Sequence, residues 1–214
     1  PNPLLDPMMP ALQSHALVSA AAIGLFEALA EGPLAAGDLA KRMGCDALGV
    51  LRLAELLTAM GYLTHGTKGF ELSALAQATF TSGGEMPLTH WLGFCEIQLQ
   101  ALGHLTAAVR HGKTVDLFDL MADPQTVLTH QRAMAQTARP IAGWVADQIP
   151  VPSGARHLLD AGGAHGVYSA AICRRHPPLA AHILELPATL ESARQVAREY
   201  GSDPYVTHLP GDIR

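Results

Sequence analysis

The sequence predicts a mostly helical N-terminal region followed by an α/β region built on a parallel sheet. In the first 150 residues apolar side chains recur mainly at three- and four-residue spacing, and two short apolar runs flank a turn at Gly66–Gly69. After residue 150, short apolar runs alternate with helical segments. The 214 residues are 49% hydrophobic and 15% charged, which excludes a disordered chain and allows one large domain or two small ones.

The first region begins with a helix that is apolar on both faces between about Leu12 and Leu29. Such a helix must be covered on both sides, and Gly32-Pro33 is expected to end it. The next elements are predicted to be helices from Gly37 to Met43 and from Ala47 to Met60, then strands Tyr62–Thr64 and Gly69–Leu72. This order is that of a helix-turn-helix with a β-hairpin wing.

A helix-turn-helix suggests DNA binding, which the charge distribution disfavours. Through Phe80 the chain has four basic residues against seven acidic ones, and the candidate recognition helix offers only Arg52. Contacts from Lys and Arg to phosphates supply most of the affinity for nucleic acid. With a formal net charge of −5 for the whole chain, the sequence predicts no nucleic-acid partner and favours a protein–protein role for this module.

Membrane insertion, disulfide bonds and a metal centre are not expected either. The stretch Ala11–Ala30 is rich in alanine, is interrupted by polar residues such as Glu27, and has no basic flank. The cysteines are odd in number, far apart and without the spacing of metal ligands, and they are Cys45, Cys95 and Cys173. We therefore expect reduced thiols and a cytoplasmic protein.

The second region, to about residue 150, is predicted to be helical over Leu92–Val109 and Val127–Gln148. Its aromatic and sulfur-containing side chains either line a pocket for a flat ligand or form an ordinary helix–helix core. They are Trp91, Phe94, Phe118, Met121, Met134 and Trp144. A stiff segment, Pro150–Gly154, marks the next boundary, so the predicted domains are residues 1–82, 83–150 and 151–214.

The third region alternates strands with helices, as in the βαβ units of a parallel sheet. Strands are predicted at Arg156–Asp160, Ala181–Glu185 and Tyr205–Leu209, and helices at Val167–Arg175 and about Ala188–Tyr200. Ligands of such sheets bind at the carboxyl ends of the strands. The residues at those three ends are therefore the candidate site.

Each predicted strand ends in a feature suited to an adenosine ligand. Gly162, Gly163 and Gly166 follow the first strand and let the backbone approach a ligand closely, while Glu185 and Asp212 can accept hydrogen bonds from ribose hydroxyls and an adenine amino group. A carboxylate at Asp160 would repel a pyrophosphate but tolerate a cation. Together they favour S-adenosylmethionine. Each feature also has an ordinary structural explanation: the glycines as a tight connection, Glu185 as a solvated strand end and Asp212 as part of a Gly-Asp turn.

The segments Asp160–Gly166, Glu185-Leu186-Pro187 and Gly211-Asp212 resemble the cofactor motifs of S-adenosylmethionine-dependent O-methyltransferases of the plant caffeate and bacterial natural-product type. The resemblance covers nearly the whole chain. It implies an N-terminal winged-helix domain that forms a homodimer, a helical connector carrying Met134 near the acceptor, and a Rossmann-like domain.

The resemblance also implies roles for individual residues. Asp160, Gly162 and Gly166 would frame the methionine part of the cofactor, Glu185 the ribose, and Asp212 with Ile213 the adenine. Trp91 and Met134 are the candidates for the acceptor pocket. Ala164 stands where the family usually has a third glycine, and the family's catalytic histidine lies downstream of Arg214, so no catalytic base is assigned.

The expected function is methyl transfer from S-adenosylmethionine to a hydroxyl of a small, aromatic or polyketide-like molecule. The rival hypotheses are a non-catalytic or regulatory homodimer with a vestigial cofactor domain, and a relative that uses the same cofactor for other chemistry. In the usual strand order the first strand is central, so three strands would leave Leu158-Leu159-Asp160 at an open edge. We therefore expect the chain to be a fragment of its enzyme.

Overall fold

The structure, a computed structural model, describes residues 1–112 and 123–212, and its contacts divide the chain into two units, Pro1–Gln100 and Ala101–Arg214. The first unit contains helices α1 (Met9–Ala22), α2 (Leu25–Leu29), α3 (Ala36–Met43), α4 (Ala47–Ala59) and α5 (Ala74–Thr79), strands β1 (Leu63–Gly66) and β2 (Gly69–Leu72), and most of helix α6 (Thr89–Leu102). The predicted helix-turn-helix with a hairpin wing is confirmed in this order.

The long first helix of the prediction is wrong in one respect, because it is two helices. Gly24 has a φ of 75°, a left-handed conformation in which α1 cannot continue, and α2 starts directly after it. Buried side chains of α1, α2 and α4 then form one core with Phe70 and Phe80. Part of the apolar surface of α1 remains exposed, for example at Leu12.

The wing is an antiparallel hairpin in which Leu63 pairs with Leu72 and Gly66 with Gly69. Leu34 exchanges backbone hydrogen bonds with Phe70, which ties the segment between α2 and α3 to the wing. A Cβ at Gly69 would lie 2.2 Å from the carbonyl oxygen of Leu34, so this close approach of two backbones requires glycine.

The second unit contains α7 (Leu105–His111), α8 (Pro124–Ala138), α9 (Ala142–Gln148), β3 (His157–Ala161), α10 (Val167–Arg175), β4 (Ala180–Glu185), α11 (Leu190–Glu199) and β5 (Val206–Pro210). Both long helices predicted for residues 92–148 are interrupted, the first at Gly103-His104 and the second near Pro140. Pro140 has no backbone N–H for a helical hydrogen bond, which explains why α8 stops before it.

The three strands form a parallel sheet in the order β3-β4-β5, as predicted. One face packs on helices: Leu158, Ala181 and Val206 belong to a hydrophobic cluster with side chains of α8, α9, α10 and α11. Since α8 and α9 share this cluster, the predicted boundary at residue 150 lies inside the second unit. The Arg132 guanidinium also donates two hydrogen bonds, of 2.8 and 2.6 Å, to the Glu199 carboxylate and so fixes α8 against α11.

The opposite face of the sheet and its β3 edge are exposed. Within the described ranges β3 pairs only with β4, and Leu159 on β3 is 65% exposed. Leu209 on β5 points to the same side and is also exposed. No helix of the described residues is both long and apolar enough to span a bilayer.

Helix α8 begins with a side-chain cap whose loss is measurable. The Asp123 carboxylate accepts hydrogen bonds from the Thr126 backbone N–H, at 2.8 Å, and from its hydroxyl, at 3.1 Å. We expect Asp123→Ala to lower the free energy of unfolding by about 1 kcal/mol, because one of the first N–H groups of the helix loses its acceptor. Urea denaturation checks this, with the exposed Gln125→Ala as control; equal stabilities of the two variants would contradict it.

Candidate cofactor site

The candidate site is centred on the turn between β3 and α10, where three residues have left-handed backbone conformations. Gly162 has a φ of 77°, Ala164 of 46° and Gly166 of 66°. The Gly166 N–H donates to the Gly163 carbonyl, and Gly166 is the N-cap of α10. The turn is therefore tight, and two of its three unusual positions have the residue type that tolerates them without strain.

Asp160, in β3, points toward this turn and not away from it. Its Oδ2 accepts a 2.5 Å hydrogen bond from the Ser169 hydroxyl of α10, and a Cβ built on Gly163 would lie 2.3 Å from the same oxygen. Gly163 is thus required by the Asp160 carboxylate, whereas the sequence suggested a close approach to a ligand. The half-buried carboxylate contributes a negative charge directly beneath the turn.

Gly166 has a packing role that the sequence did not reveal. A Cβ there would lie 2.6 Å from Ile183 Cδ1 and 3.0 Å from Val206 Cγ1. The N-terminus of α10 therefore sits directly on the side chains of β4 and β5. Only a residue without a side chain allows this close contact between helix and sheet.

Glu185 lies at the carboxyl end of β4 and is buried. Its Oε2 accepts from the Ala164 N–H at 3.1 Å, and its Oε1 accepts from the Leu186 N–H at 2.9 Å and from the Thr189 hydroxyl at 2.7 Å. A carboxylate has about four acceptor positions, so the described residues leave one of them on Oε2. The Thr189 hydroxyl also lies 3.1 Å from the Leu186 carbonyl, an alternative acceptor that would release a second position on Glu185.

Asp212 follows β5 and is exposed at the same edge of the sheet. The Gly211 N–H donates to the Glu185 carbonyl at 2.9 Å, which continues the strand pairing up to Asp212. The structure thus brings Asp160, Glu185 and Asp212 to one edge as predicted, giving an acidic site. Ile213, the other predicted adenine contact, lies outside the described residues.

The sequence analysis assigned no role to three buried or half-buried histidines that lie near the turn or interact with its residues. His208 of β5 lies with its Nε2 2.7 Å from the Ala164 carbonyl oxygen, and His165 accepts a hydrogen bond from the Val167 N–H through Nδ1 at 3.2 Å. Burial, and secondly the charge of His130 on α8, lower the pKa of His165 to about 4. Burial also lowers the pKa of His130, an effect that the nearby Glu185 carboxylate opposes.

The predicted acceptor-pocket residues lie in different units. Trp91 is half-buried on α6 in the first unit, with its ring 6.1 Å from that of Phe94. Met134 is half-buried on α8 in the second unit, one helical turn after His130. Trp144 is 66% exposed, which does not suit a pocket residue in this unit. Phe118 and Met121 lie outside the described residues.

A family model of the O-methyltransferase domain matches residues 102–214, more than half of the chain. The chain belongs to the O-methyltransferase family. A second model, of the O-methyltransferase dimerisation domain, matches residues 8–82 of this family member. Both matched ranges agree with the two units of the structure, and the predicted fold class, a helical region followed by a Rossmann-like domain, is confirmed.

Relatives of this O-methyltransferase chain extend over nearly all of it. The mitomycin biosynthesis 6-O-methyltransferase of Streptomyces lavendulae is 29% identical over 97% of this chain and 62% of its own length. The N,N-dimethyltransferase OxyT of Streptomyces rimosus is 27% identical over 94% of this chain and 61% of its own.

Among solved structures, that of PigF with SAH superimposes with a TM-score of 0.84 at 27% identity, over 98% of this chain and 65% of that one. The chain therefore spans less than two thirds of the length of each of these three proteins.

Proposed function

We propose that the chain binds S-adenosylmethionine at the carboxyl edge of its sheet and contributes to methyl transfer onto a small acceptor molecule. The observation that carries this proposal is the acidic edge formed by Asp160, Glu185 and Asp212 around a left-handed glycine turn. Three carboxylates disfavour a phosphate and favour a cation. The structure of PigF, a relative bound to SAH, supports the same cofactor class.

The residues fit the cofactor in the following way. Gly162 is exposed and Gly163 half-buried in the turn, the described residues leave one carboxylate position of Glu185 for a ribose hydroxyl, and Asp212 is exposed where adenine would bind. When bound, S-adenosylmethionine supplies an electrophilic methyl group on a sulfonium. The part of this chain is to hold that group in position and to surround its positive charge with carboxylates.

The acceptor is proposed to be a hydroxyl of an aromatic or polyketide-like molecule, with the proton taken by a base that none of the assigned site residues supplies. The relative from Streptomyces lavendulae, an O-methyltransferase of mitomycin biosynthesis, supports this class. Transfer to nitrogen is the second candidate, because OxyT is named an N,N-dimethyltransferase at nearly the same identity.

We propose that two copies of the chain associate through the first unit. The match to a dimerisation domain supports this, and so does a run of exposed apolar side chains at its start. Leu4 is 87% exposed and Met8 69%, and both precede the exposed Leu12 of α1. A second copy covering these side chains would remove them from water.

Titration calorimetry with S-adenosylmethionine and with S-adenosylhomocysteine tests the cofactor proposal. We expect binding to the folded chain, and Glu185→Ala should weaken it by about 1–3 kcal/mol, or roughly 5- to 150-fold in Kd, because a charge-assisted hydrogen bond to ribose is lost. Glu191→Ala is the matched control, since this glutamate lies six residues away in α11 with an exposed side chain. Absence of binding to a chain shown to be folded, or equal effects of the two variants, would count against the proposal.

A further inference from the structure

Ala164 is the one non-glycine residue with a positive φ among residues 1–112 and 123–212. An L-residue in the left-handed conformation costs about 1–2 kcal/mol relative to the ordinary helical region. The neighbouring positions Gly162 and Gly166 avoid this cost. Some interaction must therefore hold the turn at Ala164, the residue at its centre.

Both peptide groups of Ala164 are held by buried side chains from the two neighbouring strands. Its N–H donates to Glu185 at the end of β4, and its carbonyl lies 2.7 Å from Nε2 of His208 on β5. Each of these two residues is only 8% exposed, so each bond has one buried partner. A carbonyl oxygen can only accept, which requires that His208 carries a hydrogen on Nε2.

We propose that His208 is a positioning residue of the cofactor site: it donates a hydrogen bond from Nε2 to Ala164 and, together with Glu185, fixes the turn of residues 162–166. The consequence for the cofactor rests on the function proposed above, whereas the positioning itself does not. His208 stays in place because it lies in β5 opposite Ile183 of β4, and its carbonyl oxygen accepts a 3.4 Å hydrogen bond from the Arg194 guanidinium of α11.

The arrangement explains how alanine is tolerated in the turn. Glu185 would have two tasks, to hold the Ala164 N–H with one oxygen and to offer the remaining position to a ligand. His208 would have the first task only, because its imidazole points at the backbone of the turn and its Nε2 is engaged there. Removing His208 should therefore loosen the turn without removing any group that contacts the cofactor.

Two measurements without cofactor test the proposal. In long-range ¹H–¹⁵N spectra at neutral pH, His208 should show the Nε2–H tautomer. By hydrogen–deuterium exchange, His208→Leu should speed the amide exchange of residues 162–166 by about fivefold to tenfold, as expected for the loss of one buried hydrogen bond. His208→Gln, whose amide can donate from a similar position, should restore most of the protection.

Two further variants separate this role from general stability. His157→Gln changes an exposed histidine of the same sheet, one that contacts His182, and should leave the exchange of the turn unchanged. Ala164→Gly, in which the left-handed conformation is free of strain, should return part of the protection that His208→Leu loses when the two changes are combined. An Nδ1–H tautomer, unchanged exchange in His208→Leu, or an equal effect of His157→Gln overturns the proposal.

The cofactor titration then distinguishes the positioning role from the cofactor function. If the turn loosens as expected and S-adenosylhomocysteine binds less tightly to His208→Leu, by about the same factor, both proposals hold. If the turn loosens but the unmodified chain binds neither S-adenosylmethionine nor S-adenosylhomocysteine, the positioning role stands and the function proposed above fails.

Discussion

The chain should lose about 2–3 kcal/mol of unfolding free energy between pH 7 and pH 4.5 through His165 alone. His165 is buried, and its pKa is lowered from 6.5 to about 4 by burial and by the charge of His130. As the pH falls below 6.5, His165 becomes protonated in the unfolded chain but stays neutral in the native chain down to about pH 4. The native state is therefore destabilised throughout that interval, and the stabilisation is complete only above pH 6.5.

His165→Asn isolates this contribution. The asparagine side-chain oxygen can accept the Val167 N–H in place of Nδ1, so the local hydrogen bond is kept while the titrating group is removed. Urea unfolding at pH 7 and pH 4.5 should give a difference between the two pH values that is smaller by about 2–3 kcal/mol in the variant. Burial lowers the pKa of His130 in both proteins, so this burial contribution cancels in the comparison. The exposed His157→Asn serves as control, and identical pH dependence in His165→Asn and the unmodified chain would refute the assignment.

The order of the elements and the position of the site could be predicted because both are local properties of the sequence. Glycines, prolines and changes in apolar spacing mark the ends of β3, β4 and β5, and parallel pairing then places Asp160, Glu185 and Asp212 at one edge. The break at Gly24 was missed because a single glycine between apolar residues does not reveal whether its φ is positive.

The supporting contacts of the site could not be predicted, because they join residues that are far apart in sequence. The hydrogen bond from His208 to Ala164 spans 44 residues, and nothing near either residue signals it. The sequence also does not show why position 163 is a glycine. The space that a Cβ would occupy there is taken by the Asp160 carboxylate, whose orientation is held by the hydrogen bond from Ser169. Burial of His165, which sets its pKa, is likewise a property of the packed unit and not of the motif.

Gly166→Ala should lower the free energy of unfolding by about 2–5 kcal/mol, of which about 1–3 kcal/mol is steric. The new Cβ would meet Ile183 Cδ1 at 2.6 Å, and Ile183 is fully buried, so its terminal methyl can move away only by repacking the side chains around it. The left-handed φ of 66° adds about 1–2 kcal/mol for any residue with a side chain. Circular dichroism during urea denaturation measures the total.

Gly201→Ala separates the two costs, because Gly201 has nearly the same φ, 67°, and a Cβ added there would have nothing within 4 Å. It should cost only the conformational part, about 1–2 kcal/mol. Ile183→Val removes Cδ1 and ordinarily costs about 0.5–1.5 kcal/mol, but added to Gly166→Ala it should be neutral or stabilising. Equal losses for Gly166→Ala and Gly201→Ala, with additive effects of Ile183→Val, would show that α10 does not rest on β4 through this contact.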